Sequence, residues 1–195
     1  FTYERAGSPA EAVALLAKHG TGAMLWAGGT DMTLQWQKEK LSPTVCIDVR
    51  ELSELDYIEI DDSSIRIGAM TSLATLERSA GRHDILAMLS DITKLMATPQ
   101  TRTLATVGGN LCNASPAADL SPAFVALDAT AKIYGADGTR TISMVDFFKG
   151  VNKTELSQIE MLEAVIIPLP SDGSVQASYK RIDRTVVDIA LASGS

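Results

Sequence analysis

Cysteine and histidine are nearly absent from this sequence: Cys46, Cys112, His19 and His83 are the full set in 195 residues. Two thiols fall short of the four thiolates that an iron–sulfur cluster ordinarily takes. Two histidines added to them make a poor basis for a structural zinc site. Basic residues are also outnumbered, 17 against 24 acids, for a net charge of −7. That balance repels nucleic-acid phosphates and anionic membranes, so neither is expected as a main partner. No apolar run approaches the ~20 residues that span a bilayer. A G-x-S-x-G nucleophile elbow is missing, as are the G-x-G-x-x-G and G-x-x-x-x-G-K-[ST] nucleotide fingerprints. No acid–base pair stands out, and both histidines read as surface or helix-capping residues.

What is present is the composition of a folded domain. Hydrophobic residues at 46% and charged residues at 21% argue against disorder, and the length suffices for one sizeable core or two small subdomains sharing one. The cysteine count suits free thiols in a reducing compartment, with a single disulfide left open. No signal peptide is legible from Phe1 onward, and a cytoplasmic location is expected.

Along the chain, Ser8-Pro9-Ala10-Glu11 is a helix start with a capping box, and Gly20 ends that helix. Ala23 to Ala27 reads as a buried strand running into Gly28-Gly29-Thr30-Asp31 and then a helix from Met32 to Lys38. A glycine pair where a strand hands over to a helix suits an anion, because N–H groups and the helix dipole point into the turn. Val45 to Val49 completes a βαβ unit. Tyr57–Ile60 with Ile65–Gly68, and Ala131–Tyr134 with Thr139–Ile142, alternate and turn like hairpins. Thr71–Ser79, Asp84–Met96 and Pro122–Leu127 are expected as helices, Met144–Lys149 as a helical turn, and Met161–Pro168 as a strand. Further elements begin at Tyr179-Lys180-Arg181 and at Asp188. Residues 171–195 are expected to open another domain, of which this sequence carries only the start.

The stretch from Leu104 to Pro122 is the organising feature. It holds a second glycine pair, Gly108-Gly109, with Asn110, Asn113, Ser115, Ser121 and Asp119, and little that is bulky. It does not read as an ordinary helix or central strand. Two readings stand for it: a backbone that lies against a phosphate-bearing ligand, or a long polar surface loop. Both glycine pairs follow apolar segments and precede hydrogen-bonding side chains. Together they could grip a diphosphate from two sides through backbone N–H groups. Asp119 would then accept from ligand hydroxyls, or it would cap the helix near Pro122.

Ala27-Gly28-Gly29-Thr30-Asp31, Ala105-Thr106-Val107-Gly108-Gly109-Asn110, and Ala114-Ser115-Pro116 with Asp119 resemble the motifs of the FAD-binding domain of the molybdenum hydroxylases. That family includes xanthine dehydrogenase, the carbon monoxide dehydrogenase medium subunit and the 4-hydroxybenzoyl-CoA reductase β subunit. Val45 to Val49 with Leu55, and Ile67-Gly68-Ala69, match the segments between, and the similarity runs from about residue 1 to 190. The resemblance implies an α+β, two-lobed FAD-binding fold of the vanillyl-alcohol oxidase and p-cresol methylhydroxylase type, with lobes at 1–55 and 56–170. It also implies cofactor contacts by position. Leu25, Trp26, Ala27, Gly28, Gly29, Thr30, Asp31 and Met32 form the first loop. Thr106, Val107, Gly108, Gly109 and Asn110 form the second, with Ser115 and Asp119 beyond it. Leu162 and Lys180 match further flavin contacts, and Met96 stands where the family has a ring-packing phenylalanine. The implied function is electron relay from [2Fe–2S] clusters through FAD to NAD or another acceptor. The molybdenum cofactor and the clusters would reside in partner subunits, and no residue here would act as an acid, base or nucleophile. The rivals are a stand-alone FAD-dependent oxidoreductase and a flavin-free scaffold subunit.

Overall fold

In the computed structural model, which describes residues 1–171, 178–182 and 192–194, the chain opens with strand β1 (Thr2–Arg5). No apolar pattern announces it, because most of this edge strand faces solvent. Helix α1 (Pro9–His19) starts as expected, with Ser8 Oγ accepting from the Glu11 N–H at 3.1 Å. The reciprocal half of the capping box is displaced by one residue: Glu11 Oε2 accepts from Gly7 N–H rather than from that of Ser8. Strand β2 (Ala23–Trp26), helix α2 (Thr30–Gln37) and strand β3 (Val45–Asp48) complete the βαβ unit. β3 lies between β1 and β2 and is parallel to both.

Strands β4 (Ile58–Ile60) and β5 (Ser64–Gly68) form the first expected hairpin. Five helices follow: α3 (Leu73–Arg78), α4 (Asp84–Lys94), α5 (Pro99–Leu104), α6 (Val107–Asn113) and α7 (Leu120–Ala126). The second hairpin is β6 (Thr130–Gly135) with β7 (Gly138–Ser143). The turn expected at Met144–Lys149 splits into α8 (Met144–Phe147) and β8 (Phe148–Gly150), which pairs with β9 (Lys153–Thr154). β10 (Glu160–Pro168) then runs between the two hairpins, antiparallel to β5 and β6, and joins them into one sheet of order β4-β5-β10-β6-β7. β11 (Lys180–Ile182) pairs with β12 (Ala192–Gly194). The element expected at Asp188–Leu191 lies outside the described residues.

Helix α6 corrects the reading of the small-residue stretch. Thr106 caps it by accepting from the Gly109 N–H at 3.0 Å, while Val107 and Leu111, one turn apart, are both fully buried. Two anchored apolar side chains and a cap outweigh the low helix propensity of two glycines.

Two groups of buried side chains divide the interior. The larger, with Ile65, Leu86, Phe124 and Val165, lies between the five-stranded sheet and helices α3, α4 and α6 to α8. The smaller, with Val13, Leu16, Ile47 and Leu52, lies beneath α1 and includes Met161 of β10, with Met70 and Tyr134 packed on it. The first sheet is thus seated against the second through apolar contact.

Candidate functional site

Gly28 brings the two glycine motifs together. A Cβ on Gly28 would stand 2.0 Å from the Leu104 carbonyl oxygen and 3.0 Å from Ala105 Cα, so the first loop lies directly on the backbone that leads into the second. Gly29 has a different reason to be glycine. Its φ of 67° is left-handed, and a Cβ there would meet the Trp26 indole at 2.7 Å. As the cap residue of α2, Gly29 has no side chain to accept from the helix end. The first-turn N–H groups of Thr30, Asp31 and Met32 are therefore left without a capping acceptor among the described residues. That makes the end of α2 suited to an anion. Asp31 is open to solvent, yet the protein around it desolvates its carboxyl and raises it above the ordinary carboxylate range.

The second motif works otherwise than expected, because its N–H groups are already engaged. Val107 donates to Thr71 O at 2.9 Å, Gly108 to Ala69 O at 2.8 Å, and Gly109 to its own cap, Thr106 Oγ1. Gly108 is glycine because a Cβ would meet Ala69 Cβ at 2.7 Å. Gly109 is exposed, and only Thr106 Oγ1 lies near its missing Cβ. Beside it, the side-chain oxygen of Asn110 is buried with no partner among the described residues, so it calls for a further donor. The second motif thus offers a close approach and an amide, where the first offers free N–H groups. Gln35 of α2 ties the two together by donating to Asn113 Oδ1 of α6 at 2.8 Å. Nothing local in the sequence foretells a pair 78 residues apart.

The remaining expected residues gather in part. Asp119 is buried and makes no side-chain cap to α7, which removes the capping alternative. It accepts from Tyr179 OH at 2.6 Å and faces Arg181 Nη1 at 3.4 Å. The same Arg181 nitrogen donates to Leu95 O at 3.1 Å. Strand β11 is thereby held both to Asp119 and to the end of α4, where Met96 is buried. Lys180 lies on that strand with its side chain exposed. Leu162 is buried where the pairing of β10 with β6 slips register. Ser115 Oγ accepts from the Ala117 N–H at 3.3 Å and shapes the turn after α6. His83 is a capping residue, its Nδ1 accepting from the Ile85 N–H at 3.1 Å, and His19 Nε2 lies 2.8 Å from Glu4 Oε1. Both cysteines are free thiols. No helix among the described residues is long and apolar enough to cross a membrane.

A strand-to-helix turn with uncapped N–H groups, pressed against a second glycine motif with an unpartnered amide, has the chemistry that a phosphate-bearing ligand calls for. Comparison with known proteins shows the family of the chain. Residues 1–170 match the family described as FAD binding domain in molybdopterin dehydrogenase, and the chain belongs to that family. It is 33% identical over 171 residues to the nicotinate dehydrogenase FAD-subunit of Eubacterium barkeri, covering 86% of this chain but only 58% of that protein. It is 32% identical over 195 residues to the carbon monoxide dehydrogenase medium chain of Afipia carboxidovorans, 67% of whose length it spans. Among solved structures, a Cu,Mo-CO dehydrogenase superposes with a TM-score of 0.91 at 30% identity, over 99% of this chain and 67% of that one. Quinoline 2-oxidoreductase from Pseudomonas putida 86 superposes at 0.92 with 27% identity, over 99% and 66%.

Proposed function

We propose that this chain is the FAD-binding part of a molybdenum hydroxylase and serves there as an electron relay. The observation that carries this reading is the contact of Gly28 with Leu104 and Ala105, which merges two glycine motifs into one site with complementary groups. The uncapped end of α2 would hold the pyrophosphate. Gly109 would let a ligand approach the backbone, and Asn110 would accept from a hydroxyl or ring N–H. Leu25, Trp26 and Ala27 would form the floor of the first loop, and Met32 its far side. Met96, Leu162 and Lys180 would complete the surroundings of the ring, with Ser115 and Asp119 at its polar side. FAD bound there would supply reversible redox chemistry, while the protein binds, orients and tunes it.

The finer fold assignment belongs to the same proposal. The chain is a two-lobed FAD-binding fold of the vanillyl-alcohol oxidase type, with lobes at 1–55 and 56–170. Electrons would arrive from [2Fe–2S] clusters of one partner subunit, having left substrate at the molybdenum cofactor of another, and would pass on to NAD or a different acceptor. A cytoplasmic setting fits two unpaired thiols.

The test is a titration of the protein with FAD, followed by gel filtration and a visible spectrum. Flavin bands that stay with the wild-type protein, and are lost from a folded Gly109→Val variant, are the expected result. Flavin content unchanged in that variant would defeat the assignment of the second motif. A wild-type protein that ignores FAD would point to the scaffold reading instead.

A further inference from the structure

Arg102 is a buried charge that none of the foregoing roles uses. It lies on α5 between Met96 and the second glycine motif, and its side chain is 9% exposed. Nε donates to Glu77 Oε2 of α3 at 2.9 Å. Nη1 donates to Met96 O at 2.9 Å and to Ala97 O at 3.1 Å. Glu77 is itself held, its carbonyl accepting from Ser90 Oγ of α4. One guanidinium therefore ties α5 to α3 and to the turn that follows α4. In that turn Ala97 takes the left-handed φ of 49°, a conformation that alanine adopts only when its surroundings impose it.

The consequences reach both glycine motifs. Two residues after Arg102, the Leu104 carbonyl supports Gly28. Ala105 then accepts from the Leu73 N–H at 2.8 Å, and Thr106 begins the cap of α6. Met96, at the other end of the clamp, presents its carbonyl to the same guanidinium. Moving α5 would displace the support under the first loop, the start of the second, and Met96 together. Lysine could not replace this arrangement, since three acceptors in different directions need a planar fork rather than a single ammonium.

We infer that Arg102 is the positioning residue of the cofactor site: without touching the cofactor, it sets the spacing between the two glycine motifs and the placement of Met96. This rests on the reading of those motifs as the FAD site. The experiment compares wild type, Arg102→Lys and Gly109→Val by FAD titration well below the unfolding temperature, and records the visible spectrum of bound flavin at saturation. Wild-type binding with loss in Gly109→Val upholds the site itself. Arg102→Lys should then bind FAD at least ~10-fold more weakly, with bands changed in position or shape at saturation, because a displaced Met96 alters the ring's surroundings. A variant that melts earlier yet binds FAD with wild-type affinity and spectrum would show a purely structural arginine and overturn the inference. If Arg102→Lys does not fold, Glu77→Gln takes its place: it keeps both carbonyl bonds and removes the ion pair. A weakening of about threefold or more is expected there, and wild-type affinity and spectrum would overturn the inference. A wild type that does not bind FAD would remove the site and with it this role.

Discussion

The four glycines of the two motifs look alike in the sequence, yet each is glycine for its own reason. Gly29 needs a left-handed backbone over an indole, Gly28 and Gly108 lie against neighbouring backbone, and Gly109 faces outward. Only the last of these leaves room for something from outside. A methyl on Gly28 would overlap the Leu104 carbonyl, so one of the two segments must move. Gly28→Ala is therefore expected to destabilise the protein by about 1–3 kcal/mol, the range for overpacking a filled contact, and to weaken FAD binding as the loops part. Urea unfolding checks the first effect and flavin titration the second. Unchanged stability would mean that the contact with Leu104 yields without strain.

Elements were legible where apolar spacing was strong. The heptad-like run Ile85, Met88, Leu89 and Ile92 predicts α4, and all four residues are buried there. Both hairpins follow from alternation and turn residues. β1 gives no such signal because a polar edge strand has no apolar pattern, and the residues of α6 argue locally for a loop. What makes α6 a helix is tertiary: Val107 and Leu111 fill the core, and Ala69 and Thr71 accept from its first turn. The site shows the same division. Its glycine motifs stand out in the sequence, whereas Arg102, Gln35 and the hold of Arg181 on Asp119 depend on which elements meet. The cap of α6 can be tested on its own. Thr106→Val keeps the shape and removes the oxygen that the Gly109 N–H needs, so stability should fall by about 1 kcal/mol, as for other lost caps. An unchanged urea midpoint would mean that packing alone holds this helix.

At the scale of the whole molecule the question is whether two sheets behave as one folding unit. Met161 of β10 is buried in the smaller core with Met70 and Tyr134 beside it, so neither sheet can open without exposing apolar surface of the other. Each sheet also carries an acid whose carboxyl is held below the usual range. Asp48 of β3 is buried and is lowered chiefly by hydrogen bonds from the Arg50 side chain, with Tyr3 OH and the Arg50 N–H adding to them. Glu160 of β10 is brought down to about 2, chiefly by the Arg140 guanidinium and further by Ser157. A carboxyl lowered by folding stabilises the native state above its unfolded pKa, and that stabilisation is lost as pH falls through the folded value. Stability should thus hold from neutral pH down to about pH 4.5 and decline toward pH 2 and below. Both arginine side chains are about half exposed, so each pair is worth on the order of 1 kcal/mol. Asp48→Asn and Glu160→Gln should each lower stability at neutral pH and flatten the acid limb of the curve. If the sheets unfold together, each substitution shifts one common transition, seen equally in far-UV circular dichroism and in the fluorescence of Trp26 and Trp36. Both tryptophans belong to the first sheet and its helix, so their signal is the discriminating one. A Glu160→Gln shift seen by circular dichroism but not by fluorescence would show that the sheets unfold separately, and that the contact through Met161 is too weak to couple them.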